Sequence, residues 1–278
     1  MKRVLLSFLL VISLVLPLSA AETDSQLYTR LSSAYDSGYY PTVLTLSEKF
    51  LSDFPHSQYA DRVHFIRGKS FFRLSRYTES IKEFEFVAAT NADVAYWQGM
   101  AYYRLQNYEA ACGAFYNALA LGTLGDYEFS KRSLLVYSAF ALDNCGRRDE
   151  ATAVLEYTLI NFNMEEDFQP AVQLLFSIYK DTANKECLRW LYHQISGVIE
   201  CFPEDWSYAM LYYMADAFSD AGEYEKAIEI FGKLIACDEK AYQAAALQNS
   251  YIIAEEKAFS PDGKRFFSAF SILENAAN

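Results

Sequence analysis

Residues 99–119 read GMAYYRLQNYEAACGAFYNAL. Gly99 and Tyr102 form one small-then-large pair, and Tyr108, Ala111, Phe115 and Ala118 follow at intervals of three or four, the spacing that puts side chains on one face of a helix. Two antiparallel helices can cross closely only where side chains are small, and Gly99 and Ala111 mark that approach. Tyr102, Tyr108, Phe115 and Leu119 then fill the space around the crossing and reach a neighbouring pair of helices.

The same pattern stands 31 residues earlier, where Gly68 matches Gly99, Phe71 matches Tyr102, Tyr77 matches Tyr108 and Phe84 matches Phe115. A fixed period of this length is the mark of a helical repeat protein. Another copy spans Asp205 to Ala236, with Ala215, Phe218, Tyr224, Ala227 and Phe231 in register and Asp220-Ala221-Gly222-Glu223 as its turn. Glycine there supplies a left-handed helix cap. A weaker copy keeps Ala139, Leu142, Gly146, Ala151 and Leu155 but has Arg148 where the turn aromatic belongs. Near the N-terminus Tyr39 and Tyr40 occupy the turn, Val43, Ser47 and Phe50 follow, and Pro55 stops the helix. The gap from Arg148 to Tyr224 holds one degenerate pair. Leu174, Leu175, Ile178 and Tyr179 share a face after Pro170, and Leu188, Leu191, Tyr192 and Ile195 share another. About six hairpins are expected. A further helix over 238–259 caps the array, with Ala241, Ala245, Leu247, Tyr251 and Ile252 as its candidate buried side. After the turn Ser260-Pro261-Asp262-Gly263, a short helix over 266–273 is expected within the C-terminal tail, 260–278, whose apolar residues leave open that it packs on a partner.

At every position named, the copy from Gly99 to Ala118 resembles the tetratricopeptide consensus. The resemblance implies an all-α, right-handed superhelical solenoid over 22–259 that binds a protein or peptide partner without catalysis. The stretch Phe54-Pro55-His56-Ser57-Gln58-Tyr59-Ala60 leading to Gly68 is similar to one bacterial branch of the family. That branch includes the lipoprotein of outer-membrane β-barrel assembly and the periplasmic coordinator of the Tol/Pal system, which implies work in the cell envelope. Repeats of this kind hold ligands in a concave groove lined by the first helix of each hairpin. Carried over, the groove consists of Tyr28, Tyr35, Arg62, Phe65, Lys69, Phe72, Arg73, Tyr96, Met100, Tyr103 and Arg104, with Phe140, Asp143, Asn144, Tyr212, Asp216 and Asp220 further on. Its first half is aromatic and basic and suits a peptide with an apolar anchor and an acidic residue. The alternative is that some of these rings pack between hairpins and the charges are solvated.

Met1-Lys2-Arg3, the apolar run from Val4 to Leu18 and the small residues Ser19-Ala20-Ala21 have the layout of a secretory signal, so 1–21 is expected to be removed. The first cysteine is Cys112, which gives no basis for a lipid anchor and places the expected product in the periplasm or outside the cell. The full sequence carries a net charge of −12, and loss of Lys2 and Arg3 makes the remainder more acidic. Such a chain is repelled by phosphate backbones and anionic lipid, so no nucleic-acid partner and no integral membrane segment after processing are expected.

Five cysteines, Cys112, Cys145, Cys187, Cys201 and Cys237, show no Cys-x-x-Cys spacing. They read as buried apolar residues, although Cys112 and Cys145 fall in neighbouring hairpins and Cys187 and Cys201 in one helical pair. His56, His64 and His193 are dispersed, with no metal-ligand spacing, and no phosphate-binding or nucleophile motif occurs. No cofactor, metal or enzymatic activity is expected. Two other readings stay open: a carrier of a small apolar or aromatic ligand, and an architectural protein that self-associates. The sequence leaves the oligomeric state open.

Overall fold

In the computed structural model the residues described are 22–87, 91–122, 130–162, 169–182, 184–197, 199, 204–237 and 239–257. The expected signal at 1–21, the tail at 260–278 with its short helix, and Cys201 lie outside them. Thirteen α-helices and no strand occur among the described residues, and the chain has an all-α repeat fold. It divides into two compact units between Ala88 and Ala89.

The first unit contains α1 (Asp24–Asp36), α2 (Tyr40–Asp53), α3 (Ala60–Arg73) and α4 (Tyr77–Phe84), paired as hairpins α1/α2 and α3/α4. Thr23 and Gln26 close a reciprocal capping box at the start of α1. Leu27, Leu31, Val43, Phe50, Val63 and Ile66 form the core. The linker after Pro55 is tied back to α1, because Ser57 Oγ donates to Asp24 Oδ2 at 2.7 Å and Tyr59 stacks on Tyr28 at 4.6 Å.

The second unit contains α5 (Ala92–Arg104) with α6 (Tyr108–Leu121), α7 (Lys131–Asn144) with α8 (Arg148–Asn161), α9 (Gln169–Asp181) with α10 (Lys185–Ser196), α11 (Glu204–Asp220) with α12 (Tyr224–Ile235), and α13 (Lys240–Lys257) packed on α11 and α12. The weak fourth copy and the degenerate gap are therefore both real hairpins. Leu175, Ile178, Tyr179, Leu188, Leu191 and Ile195 are buried in one core that continues through Phe218 and Phe231.

Among the described residues, five hairpin turns share one geometry. The residue two before each second helix, namely Gly38, Ser75, Gln106, Gly146 and Gly222, has φ between 60° and 76°. The next residue's N–H bonds to the carbonyl five back, as in Arg76 to Phe71 at 2.8 Å and Asn107 to Tyr102 at 2.9 Å. This is the Schellman closure, which satisfies carbonyls that the helix end leaves open. Glycine adopts it freely, whereas Ser75 and Gln106 do so against the steric preference of an L-residue.

The crossing residues serve rings more than backbones. A β-carbon on Gly68 would lie 2.5 Å from the Phe84 ring, and one on Gly99 would lie 2.5 Å from the Phe115 ring. Each glycine is the seat of the aromatic side chain sixteen positions later.

The capping helix differs from the sequence expectation by its register. Ala246, Ser250 and Ile253 are its buried residues, whereas Ala241, Tyr251 and Ile252 are exposed and Ala245 and Leu247 only partly covered. Apolar side chains lie on more than one side of this helix, so the buried stripe of Ala246, Ser250 and Ile253 is as regular as the one expected.

Candidate functional site

The first-helix faces carry the expected ligand residues, and each unit presents its own. In the first unit, Tyr28 is held by Tyr59, Tyr35 meets Tyr40 edge-on at 5.7 Å, Phe65 meets Phe84 at 6.0 Å and Phe72 meets Tyr77 at 5.2 Å. All four remain partly accessible, and Arg62 and Arg73 are exposed. Lys69 differs from expectation. Only 6% exposed, it places its ammonium 4.6 Å from the Tyr35 ring and 5.1 Å from the Phe65 ring. Its cation thus organises the two rings from beneath instead of standing free for a ligand.

In the second unit Tyr96 and Met100 also lie inside. Tyr96 is fully buried against Phe115 at 5.9 Å and Trp97 at 6.4 Å, and Met100 is 5% exposed. Both occupy the turn of α5 nearest the Gly99–Phe115 crossing, where rings that look groove-facing in the sequence become core. Tyr103 and Arg104, one turn on, do reach the surface.

Tyr103 is joined by a residue the sequence reading misses. Tyr137 of α7 meets the Tyr103 ring at 6.2 Å and the Phe140 ring at 6.4 Å, while Tyr108 meets Tyr103 at 5.5 Å. Tyr137, Phe140 and Tyr103 are each partly exposed, so a ladder of rings runs from α5 to α7. The available signal was the three-residue spacing of Tyr137 and Phe140, which puts them on one helix face. Burial, then the neighbouring phenols of Tyr108 and Tyr137, push the Tyr103 hydroxyl above its ordinary pKa. It stays protonated and able to donate at any physiological pH.

The acidic residues further on are matched by cations. Arg148, standing in place of a turn aromatic, bridges Asp143 at 3.2 Å and Asp181 at 3.0 Å. Lys180 of α9 lies 2.8 Å from Asp216 and 2.5 Å from Asp220 on α11. Partial burial works against its charge, but the bonds to these two carboxylates outweigh that and hold Lys180 above the usual lysine pKa. The expected acidic end of the groove is thus a set of internal ion pairs. Tyr212 sits among Phe231, Tyr213 and Tyr242, and its hydroxyl accepts from Asn249.

A cavity of about 390 Å³ opens on another side of the second unit, between α6, α7 and α8. Tyr116, Leu119, Leu142 and Val154 give it apolar walls, and Arg147 and Glu150 pair at 2.7 Å on its rim. Among the described residues no group of His, Cys, Asp and Glu could hold a metal ion, and no helix is long and apolar enough to cross a membrane.

Stacked helical hairpins with an aromatic first-helix face define a class, the helical repeat proteins. Two of the hairpins match a family model: the one described as "Tetratricopeptide repeat" covers residues 93–121 and 208–236, which fall on α5/α6 and α11/α12. No curated protein matches the sequence. Among solved structures, a tetratricopeptide repeat protein from Parabacteroides merdae is 12% identical, with 91% of this chain and 99% of that chain covered at a TM-score of 0.58. PilW, described as a widely conserved type IV pilus biogenesis factor, is 14% identical over 80% of this chain and 97% of its own, with a TM-score of 0.56. MamA is 17% identical over 64% of this chain and 95% of its own, with a TM-score of 0.53. At these identities the likeness is one of fold.

Proposed function

We propose that the chain is an exported, non-catalytic scaffold that holds a protein or peptide partner against the exposed rings and cations of its first helices. The observation that carries this reading is the ladder Tyr103–Tyr137–Phe140, contributed by two successive hairpins and left partly open. Mutual contact already fixes the orientation of these rings, so little side-chain freedom is lost when a ligand covers them. Aromatic and arginine side chains dominate binding energy at interfaces, and Arg104 stands exposed beside Tyr103. Arg62, Phe65, Phe72 and Arg73 repeat that composition in the first unit. The matching ligand is an extended segment with an aromatic or aliphatic anchor next to an acidic residue.

Export is supported by the basic start and apolar run at 1–21, and envelope work by the likeness of the Pro55-x-Ser57-x-Tyr59-Ala60 linker to that bacterial branch. N-terminal sequencing of protein recovered from periplasm or medium tests the first point, since a start near residue 22 is expected and retention of Met1 would contradict it. Partner capture tests the second. After crosslinking in envelope fractions, the wild-type chain should retain a partner that the Tyr103→Ala/Tyr137→Ala/Phe140→Ala chain loses.

The cavity between α6, α7 and α8 favours a second reading, carriage of a small apolar ligand, because its volume lies within the roughly 300–1,000 Å³ of ligand pockets. Native mass spectrometry of purified protein distinguishes the two: a bound small mass supports the carrier, and an apo species the scaffold.

A further inference from the structure

The same cavity leads to a pair of thiols. Cys112 of α6 lines it and is 9% exposed. Cys145, the C-cap of α7, brings its Sγ to 3.9 Å from that of Cys112. The two residues are 33 positions apart and belong to successive hairpins, so the sulfur contact is made by the stacking of α6 on α7. All four described cysteines, Cys112, Cys145, Cys187 and Cys237, are free thiols, and Cys112 and Cys145 stand in sulfur contact.

We propose that Cys112 and Cys145 form a reversible disulfide in the folded protein, locking the third hairpin to the fourth. A sulfur–sulfur bond is about 2.05 Å long, and the gap to be closed lies within the swing of one χ1 rotamer change at either residue. Cys145 is the less buried thiol and the natural point of entry. Its thiolate attacks a sulfur of a small or protein disulfide, displacing one thiol and leaving a mixed disulfide on Cys145. Deprotonated Cys112 then attacks the Sγ of Cys145 and displaces the second thiol. The protein loses two hydrogens and two electrons, and the disulfide reagent gains both as two thiols.

Burial, and then the hydrogen bond to Cys145, push the Cys112 thiol up to about 12, and burial raises Cys145 as well. Exchange is therefore slow at neutral pH and speeds up as the pH rises. The acidic side chain of Glu109 faces both sulfurs and opposes ionisation, while Arg147 favours it but is engaged by Glu150.

The test uses the full chain, reduced and then equilibrated without denaturant in oxidised and reduced glutathione, followed by alkylation of free thiols and peptide mass spectrometry. The expected product is a single crosslinked peptide pair joining Cys112 to Cys145, absent from Cys112→Ser and from Cys145→Ser. The oxidised wild-type chain should melt about 5 °C or more above the reduced one, a difference missing from the Cys112→Ser/Cys145→Ser chain. Alkylated or glutathionylated Cys112 and Cys145 at the end of the reaction, a crosslink to another cysteine instead, or an oxidised form that melts no higher than the reduced one would overturn the assignment.

Discussion

The Phe115 ring lies so close over Gly99 that a β-carbon on that glycine would come within 2.5 Å of it. Phe84 stands in the same relation to Gly68. Gly99→Ala and Gly68→Ala should therefore each destabilise their unit by about 1–3 kcal/mol through overpacking, despite the better helix propensity of alanine. Gly113→Ala is the control, since its β-carbon meets nothing within 4 Å and the change should stabilise the helix slightly. Thermal melts of the three variants decide the matter.

Ser75 and Gln106 hold the left-handed turn position that glycine fills in three other hairpins. Replacing either with glycine relieves the strain and should raise stability by about 0.5–1 kcal/mol, the reverse of the usual effect of introducing glycine. Denaturant unfolding with an unchanged m-value would register the gain.

The register of α13 gives a sharper test, because neighbouring isoleucines stand in opposite surroundings. Ile253 is 1% exposed and Ile252 is 47% exposed. Ile253→Ala should cost about 2–5 kcal/mol and Ile252→Ala should stay within about 0.5 kcal/mol. Equal losses would move the buried stripe back toward the one read from sequence.

Lys180 spans Asp216 and Asp220 between α9 and α11. All three side chains are partly open to water, with Lys180 32%, Asp216 38% and Asp220 50% exposed, so Lys180→Met should cost no more than about 1 kcal/mol at neutral pH. Since Lys180 has a folded pKa above its unfolded one, its contribution is complete below about pH 10 and disappears as the pH rises through the folded value. The gap in melting temperature between wild type and variant should hold from about pH 6 to about pH 10 and narrow above that range.

The hairpins were legible wherever a small residue and a ring recur at fixed spacing, because one steric requirement, the seating of Phe84 on Gly68 or Phe115 on Gly99, writes the same residues each time. Even the degenerate α9/α10 pair was readable from its apolar faces alone. The candidate site was less legible. Lys69, Tyr96 and Met100 occupy positions of the repeat that face a ligand in general but lie under neighbouring side chains here, and sequence spacing gives the face of a helix without the depth of what covers it. Tyr137 escaped for the converse reason: its role comes from meeting Tyr103 across two hairpins, which the sequence of one helix does not encode. The charges of Asp143, Asp216 and Asp220 looked available because their partners Arg148 and Lys180 are remote in sequence or on another helix.

The most direct measurement compares partner capture by two triple-site families on the second unit, each checked for native helicity and melting. One removes the ladder, Tyr103→Ala/Tyr137→Ala/Phe140→Ala. The other removes exposed apolar side chains of the second helices, Tyr116→Ala/Tyr157→Ala/Ile160→Ala, which are 75%, 48% and 65% exposed. Quantitative crosslinked pull-down should show at least about a tenfold loss for the ladder variant and capture near the wild-type level for the other, given the roughly 1.4 kcal/mol or more expected from aromatic interface residues. Full capture by the ladder variant, with loss in the second-helix variant, would contradict binding on the first-helix face.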